Sequence, residues 1–338
     1  MNIGKIAEPI LKRAVFKQLP KNQEYLLQGA DIGMDCALLN IGEEVISLAT
    51  ESVTEERGID CVSHGIYRAS NNLAAAGTIP KAVSLHLLLP ERMREIALRR
   101  MMADAAETAK KMQLQISGGH TEVLGELQRP VISVTAMGEA SETLKKSVLD
   151  KKVCEAGQEI ILSKWIGLSA TALLAREKEA ELQNHYPAYF VKAAEDLDRY
   201  YSVLPEAEIA LEEGVIAMHD VAGGGIYGAL WELGERFHVG LQVSLKKIPL
   251  QQETVEVCEF FNLNPYEIRS DGALLMIAKN SQALIQKLEQ AGIKATVIGT
   301  ITENQDRVIV NEEEKRFLEP PRKEQVLTEI LREKEIKR

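Results

Sequence analysis

Residues 215–225 read Val215-Ile216-Ala217-Met218-His219-Asp220-Val221-Ala222-Gly223-Gly224-Gly225, and Ile226, Ala229, Leu230, Leu233 and Phe237 follow at intervals of three and four. The apolar run Val215 to Met218 predicts a buried strand, His219 to Gly225 a loop, and the recurrence after it a helix with one apolar face. Glycines at a helix N-terminus let a ligand approach the backbone, and the free amides and helix dipole there suit phosphate groups. Asp220, just before them, is placed to hold a metal ion bridging such phosphates. A tight strand-to-helix turn in which Asp220 caps the helix would use the same residues.

A second glycine pair stands in the first half, in Gly118-Gly119-His120-Thr121-Glu122-Val123, directly after a short predicted strand Leu114 to Ile116. Two such loops in two halves point to a shared cleft. His120 either ligates a metal or hydrogen-bonds a phosphate, or is a loop histidine satisfied by backbone groups. Asp31, Asp35 and Glu51 fall at loop or strand ends, where carboxylates of neighbouring strands converge on Mg²⁺, a hard cation that takes oxygen ligands. Asn71-Asn72 lies on an Ala-rich helix although Asn disfavours helix interiors, unless the pair marks a helix end with its own side-chain hydrogen bonds. The chain has no Gly-x-Ser-x-Gly elbow and no Gly-x-x-x-x-Gly-Lys-Ser/Thr run, which argues against serine hydrolase chemistry and a Walker-type phosphate loop.

The pattern around these loops alternates strands and helices, an α/β class. Helices are expected from Gly4 to Leu19, from Ile66 to Ala76 with Gly77 after its end, and from Pro90 through Met112. Strands are expected at Val45 to Thr50, Ala82 to Leu89 and Val131 to Ala136. The pattern thins to a charged connection at Val148 to Gln158, which divides the chain into domains 1–150 and 151–338. Beyond it come a strand at Ile160 to Leu162, a helix from Ser169 and a mostly helical acidic stretch from Glu177 to Glu213. Late strands are expected at Ala273 to Ile277, Thr296 to Ile301 and Arg307 to Val310, and a last amphipathic helix at Val326 to Leu331.

Composition limits the partners. The 338 residues carry 40 Lys and Arg against 50 Asp and Glu, a net charge of −10, which argues against a nucleic-acid binder that neutralises phosphates over a basic face. Hydrophobic residues at 45% and charged residues at 27% are those of an ordinary globular protein, with aliphatic cores because aromatics make up only 5%. Cys36, Cys61, Cys154 and Cys258 form no Cys-x-x-Cys pair, so neither a zinc ribbon nor a disulfide scaffold is expected and a reducing cytoplasm fits. Charges interrupt Met1 to Leu19, and no later stretch has the apolar length of a membrane span, so neither secretion nor a membrane is expected.

The loops together carry a resemblance. Gly29 to Ala37, Ala69-Ser70-Asn71-Asn72-Leu73-Ala74-Ala75-Ala76-Gly77-Thr78-Ile79-Pro80, Gly118 to Val123 and Met218 to Gly225 stand in the order seen in the superfamily of aminoimidazole ribonucleotide synthetases, selenophosphate synthetase, thiamine-monophosphate kinase and the HypE-type hydrogenase-maturation proteins. Val239-Gly240-Leu241, Ile248-Pro249-Leu250, Leu263-Asn264-Pro265 and Ser270-Asp271-Gly272-Ala273-Leu274-Leu275 most resemble the HypE-type branch. The resemblance implies a two-domain fold: an N-terminal α/β domain whose strands join a partner's in a dimeric β-barrel, and a C-terminal α+β domain. It also implies ATP with Mg²⁺ held by acidic residues and the glycine loops, and phosphoryl transfer that in several members leads to a dehydrated product.

On that basis Asp31, Asp35, Glu51 and Asp220 are the expected metal ligands. Asp35, Gly118, Gly119, Thr121, Asn71, Gly223, Gly224 and Gly225 are the expected nucleotide contacts, and Asp220, His120 and Asn72 the expected catalytic positions. The chain departs from the family's pattern: Met34 stands beside Asp35, Glu51 replaces an Asp, Asn72 replaces a metal-binding carboxylate, His120 replaces an acidic residue, and Ala222 replaces Thr or Ser. HypE-type enzymes carry their modified cysteine at the C-terminus. Here the last cysteine, Cys258, lies far before Arg338, so the expected substrate is a different small molecule or protein-carried group. A homodimer is expected. The alternative is a non-catalytic homodimeric nucleotide sensor or assembly partner, which the lost carboxylates favour.

Overall fold

In a computed structural model of the chain, residues 5–20, 24–54, 58, 60–142, 144–145, 154–320 and 326 are described. They divide into an inserted unit, residues 23–29 and 35–149, and a flanking unit, residues 1–22, 30–34 and 150–338. The sequence reading placed residues 1–150 together. Instead the N-terminal residues pack with the C-terminal half, because helix α1 (Glu8–Ala14) is tied there by side chains. Trp231 Nε1 donates to Glu8 at 3.2 Å, and Lys5 Nζ donates to Glu232 at 2.9 Å. The helix expected from Gly4 to Leu19 is shorter in consequence: it starts at Pro9's first turn, ends at Ala14 and gives way to a 3₁₀ turn at Phe16–Gln18.

Strict alternation builds the sheet of the inserted unit. Its strands are β1 (Leu26–Gln28), β2 (Ala37–Ile41), β3 (Glu44–Val53), β4 (Thr78–Pro90), β5 (Gln115–Leu124) and β6 (Val131–Ala140), in the order β1-β2-β3-β6-β4-β5. Only β4 and β5 pair in parallel. Val83, Leu85, Leu87 and Leu89 of β4 and Ile132, Val134 and Ala136 of β6 share a core with Ile66, Ala69 and Leu73 of α2 (Cys61–Ala75) and with Met101 and Ala105 of α3 (Glu95–Lys111). Polar neighbours among them point to the other face and bond across strands: Ser133 bonds Ser52 at 2.8 Å and Thr135 bonds Thr50 at 2.9 Å. Pro90 was expected to open a helix. It closes β4 opposite Leu124, and the helix begins only at Glu95.

The glycine pair at 118–119 was expected in a loop and lies within β5. Val83 pairs with Ile116 but Ser84 with Gly118, so Ser117 is an extra residue that bulges the strand. Gly119 takes φ +148°, and a Cβ there would lie 1.7 Å from the Leu85 carbonyl oxygen, so the close approach of β4 requires glycine.

The flanking unit holds β7 (Glu159–Ser163), β8 (Ala217–Val221), β9 (Gly240–Ser244), β10 (Ala273–Ala278), β11 (Ala295–Thr302), β12 (Arg307–Asn311) and β13 (Glu314–Phe317), in the order β13-β12-β9-β11-β7-β10-β8. β12 and β9 pair in parallel and the remaining neighbours antiparallel. Its helices are α4 (Leu168–Glu177), α5 (Glu179–Gln183), α6 (Ala188–Glu195), α7 (Leu204–Glu212), α8 (Gly225–Phe237), α9 (Gln252–Phe260) and α10 (Ser281–Gln290). Every residue of β10 is buried, consistent with a strand paired on both sides. One buried ion pair supports this unit: Lys164 Nζ lies 2.5 Å from Glu206 Oε1 and donates to the carbonyls of Tyr200 and Ser202. Val326 is buried in the cluster that holds Leu173 and Leu182, whereas the rest of the helix expected to Leu331 and residues 148–153 of the expected connection lie outside the described residues. Among the described residues no helix is long and apolar enough to cross a membrane.

Candidate functional site

In the flanking unit the quoted stretch is strand for longer than expected. β8 runs through His219, Asp220 and Val221, opposite Leu275, Leu274 and Ala273 of β10, and forms one edge of its sheet. Asp220 therefore stands on a strand, 7% exposed, immediately before the turn. Gly224 is the residue preceding α8, in the left-handed conformation at φ +88° with no side-chain cap. No side chain caps the first turn of α8; instead Gly225 N donates to the Ala222 carbonyl at 3.1 Å and Tyr227 N to the Tyr266 carbonyl at 3.2 Å.

The three glycines serve different ends. A Cβ on Gly225, at φ +63°, would meet the Tyr266 carbonyl oxygen at 2.5 Å and that of Ile268 at 2.6 Å, so this glycine is demanded by the segment packed over it. Gly223 has no positive φ. A Cβ there would come within 3.2 Å of Arg269 Nη2 and 3.7 Å of Lys5 Cε. Two cations therefore flank the loop where a phosphate would approach the backbone. Arg269 is held by Asp271 at 3.3 Å, which in turn accepts from Ser169 at 2.6 Å.

Behind the loop, Glu232 of α8 accepts from His219 Nε2 at 3.2 Å and from Lys5 Nζ at 2.9 Å. Burial by itself would raise the Glu232 carboxyl, but Lys5 and His219 outweigh it and hold the group at about 2. The sign follows: a lowered carboxylate contributes stability above its ordinary value near 4.5 and loses it as pH falls toward 2. We expect acid unfolding between those limits to weaken the protein by roughly 3 kcal/mol from this group, and Glu232→Gln to remove that portion of the slope in urea titrations at stepped pH.

The Asp31 turn belongs to the same unit. Asp31 accepts from its neighbour's amide, Ile32 N, at 2.8 Å, and at Gly33, φ +74°, a Cβ would lie 2.4 Å from the Glu232 carbonyl oxygen. The acidic turn is thus packed against α8, the helix that follows Asp220 and the glycines.

The inserted unit holds the remaining predicted residues, and it separates them. Glu51 on β3 points toward α2, where Asn72 Nδ2 donates to its Oε1 at 3.0 Å. Asn71, one residue earlier, is 1% exposed and lies inside the helix packing. His120 faces away from α2, on the other surface of the sheet, so it does not join Asn72 as the sequence reading had it. Gly118, Gly119 and Thr121 lie along β5, the exposed edge of this sheet. Asp35 precedes β2 and is partly buried. Thiol chemistry finds little support: all four cysteines are buried, and burial pushes the Cys154 and Cys258 thiols up to about 12.

Sequence reasoning missed Lys5, Glu232 and Arg269. Lys5 lies 227 positions from its partner Glu232, beyond the reach of any local motif. Arg269 directly precedes the Ser270-Asp271-Gly272 run and had been readable as a conspicuous charge beside it.

The family follows from both halves. Residues 33–140 match the model for the N-terminal domain of AIR synthase related proteins, and residues 155–311 match the model for their C-terminal domain. The chain belongs to the AIR synthase related family. It is similar to the hydrogenase expression/formation protein MJ0676 of Methanocaldococcus jannaschii, 26% identical over 321 residues that cover 91% of each chain. It is 24% identical over 262 residues to the carbamoyl dehydratase HypE of Azotobacter vinelandii, covering 75% of this chain and 72% of that one. Its fold matches a crystal structure of the hydrogenase maturation protein HypE in complex with ATP, with a TM-score of 0.71 at 18% identity over 96% of this chain and 97% of that one. The two-domain mixed α/β architecture of the AIR synthase family is thereby shared by this chain.

Proposed function

We propose that this chain is an ATP-binding protein of HypE-like type that uses Mg²⁺-ATP for phosphoryl transfer and dehydration on a small molecule or protein-carried group in metallocofactor or hydrogenase maturation. The observation that carries the proposal is the Gly223–Gly225 turn, with Asp220 on the strand before it and Lys5 and Arg269 beside Gly223. A chain of net charge −10 must place cations locally to accept a triphosphate, and Lys5 and Arg269, each also paired with a carboxylate, lie beside Gly223. The HypE relatives, one a carbamoyl dehydratase and one solved with ATP, support the same reading.

Asp31, Asp35, Glu51 and Asp220 are the carboxylates offered to Mg²⁺, and their hard oxygens fit that ion. Asn72 alters the set: its amide occupies one Glu51 oxygen where a second carboxylate would repel it, which leaves fewer anionic ligands and points to fewer ions. Bound Mg²⁺ would neutralise phosphate charge, and the protein's own part is positioning, with no covalent nucleophile required. A homodimer belongs to the proposal, because β5 is an exposed edge whose unpaired backbone groups are open to a second copy.

Thermal and urea unfolding with Mg²⁺-ATP test the reading. Ligand at about a hundred times its dissociation constant should add roughly 2.7 kcal/mol. Asp220→Asn should abolish most of that gain and any release of ADP or phosphate. Absence of stabilisation in the wild type removes the proposal, and stabilisation without turnover under all substrates tried favours the nucleotide-sensor reading that the Asn72–Glu51 pair supports.

A further inference from the structure

The segment Arg269-Ser270-Asp271, which runs into β10, is fixed from two sides. Toward the glycine turn, Ser270 N donates to the Ala222 carbonyl at 3.4 Å, continuing the pairing of Ala273 with Val221. Toward the start of α4, Gly167 N donates to Ser270 Oγ at 2.6 Å, Ala170 N to the Arg269 carbonyl at 3.3 Å, and Tyr201 Oη to the Ser169 carbonyl at 3.3 Å. Ser169 and Asp271 close this frame, because Ser169 Oγ donates to Asp271 Oδ2 at 2.6 Å and accepts from Asp271 N at 3.0 Å. Both residues are 2% exposed.

A carboxylate this deep costs free energy unless hydrogen bonds and a cation offset its lost hydration. Ser169 supplies a bond, and Arg269 Nη1, 3.3 Å from Asp271 Oδ1, supplies the charge. Swinging the guanidinium away would strand the carboxylate, so the pair holds Arg269 in one place. That place is against the glycine turn. Gly223 has no positive φ to demand glycine, and the atoms its Cβ would meet are Arg269 Nη2 at 3.2 Å, Arg269 Cζ at 3.7 Å and Lys5 Cε at 3.7 Å. The missing side chain leaves room for a guanidinium with one nitrogen turned to Asp271 and another to the turn.

We infer that Arg269 is a preset clamp for a polyphosphate group and that Asp271 and Ser169 are its positioning residues. The inference rests on the reading of the Gly223–Gly225 turn as a phosphate site, and it names the group that meets the phosphate there. Arginine suits the task because its planar, permanently charged fork bonds phosphate oxygens in fixed directions, so its worth depends on aim; a lysine would act only as a point charge. A cation already in place offsets charge on the phosphoryl oxygens without rearrangement. Charge counting alone gives the opposite expectation for Asp271. Removing a negative group beside an anion site should tighten anion binding, whereas removing the group that aims Arg269 loosens it, since the freed side chain must be ordered again on binding.

The test titrates the full chain calorimetrically, with Mg²⁺ present, against ATP and separately against inorganic tripolyphosphate. Arg269→Met alone would strand Asp271, so the double variant Arg269→Met/Asp271→Asn, which removes both charges, carries the comparison. It should bind both ligands about tenfold to a hundredfold more weakly, the worth of a hydrogen bond to a charged group. Asp271→Asn and Ser169→Ala should each weaken binding by about fivefold to tenfold, and Ser169→Ala should cost nothing further in the double variant, because its effect runs through Arg269. Tighter binding in Asp271→Asn, or an equal cost of Ser169→Ala in both backgrounds, overturns the positioning role. Wild-type affinity for both ligands in the double variant overturns the clamp and leaves the nucleotide reading standing. Tripolyphosphate bound through Arg269 without any binding of ATP upholds the clamp and removes the nucleotide reading, and binding of neither ligand removes both.

Discussion

Replacing Glu206 with Gln should destabilise the flanking unit by roughly 3–5 kcal/mol, the range for breaking a buried ion pair from one side. Glu206 is 1% exposed and the Lys164 side chain 8%, and their charged atoms lie 2.5 Å apart. Burial drives the Lys164 ammonium below its ordinary value, and Glu206 pulls it back up. Without that carboxylate the lysine must either stay charged in an apolar setting or release its proton; both cost free energy. The carbonyls of Tyr200 and Ser202, which accept from Nζ at 3.0 and 2.7 Å, keep the chain around Lys164 in place but supply no counter-charge. Urea unfolding should show the loss, and the double variant Glu206→Gln/Lys164→Met should recover much of it by removing the stranded charge. A single-variant loss under about 1 kcal/mol would mean that water reaches the pair.

Gly225→Ala and Gly223→Ala, two residues apart, should behave oppositely. At Gly225 the left-handed backbone alone costs an alanine roughly 1–2 kcal/mol, and its Cβ would sit 2.5–2.6 Å from two carbonyl oxygens of the 266–268 segment. Since backbone is what must move, a total near 3 kcal/mol or more is expected, seen as a large drop in melting temperature. At Gly223 the nearest atom is the tip of a flexible side chain, Arg269 Nη2 at 3.2 Å, and no positive φ is imposed. Stability should change by less than about 1 kcal/mol, while stabilisation by Mg²⁺-ATP should fall because the methyl group stands where phosphate would meet Lys5 and Arg269. Equal melting temperatures for the two variants would contradict the distinction between a packing glycine and a ligand-facing one.

The contrast shows what the sequence could disclose. Helix α8 was legible because Ile226, Ala229, Leu230 and Leu233 recur at helical spacing, and all four are buried. Strand β6 was legible in kind from its alternation, though it extends to Ala140. The glycines were read as points where a ligand could meet the backbone, and at Gly119 and Gly225 the atoms a Cβ would meet are the protein's own backbone. Glycine-rich runs look alike whether a ligand or another chain segment lies over them. Asn72 stood out as a lost carboxylate, but its bond to Glu51 depends on the register between α2 and β3, which no local pattern carries. His120 was expected beside the phosphates, whereas the bulge at Ser117 sets which side chains of β5 share its face and turns it toward His86. A single inserted residue reverses the facing of every position beyond it.

The tie between Lys5 and Glu232 also bears on how the molecule is made. Residues 23–29 and 35–149 form a unit that can complete its sheet while the ribosome is still extending the chain, yet the helix that precedes them has its partners Glu232, Trp231 and Glu235 more than two hundred residues later. During synthesis α1 must wait, with its apolar side uncovered, until α8 emerges. The first segment to leave the ribosome is therefore among the last to find its place, and the slow closing of that long loop belongs to the final stage of folding.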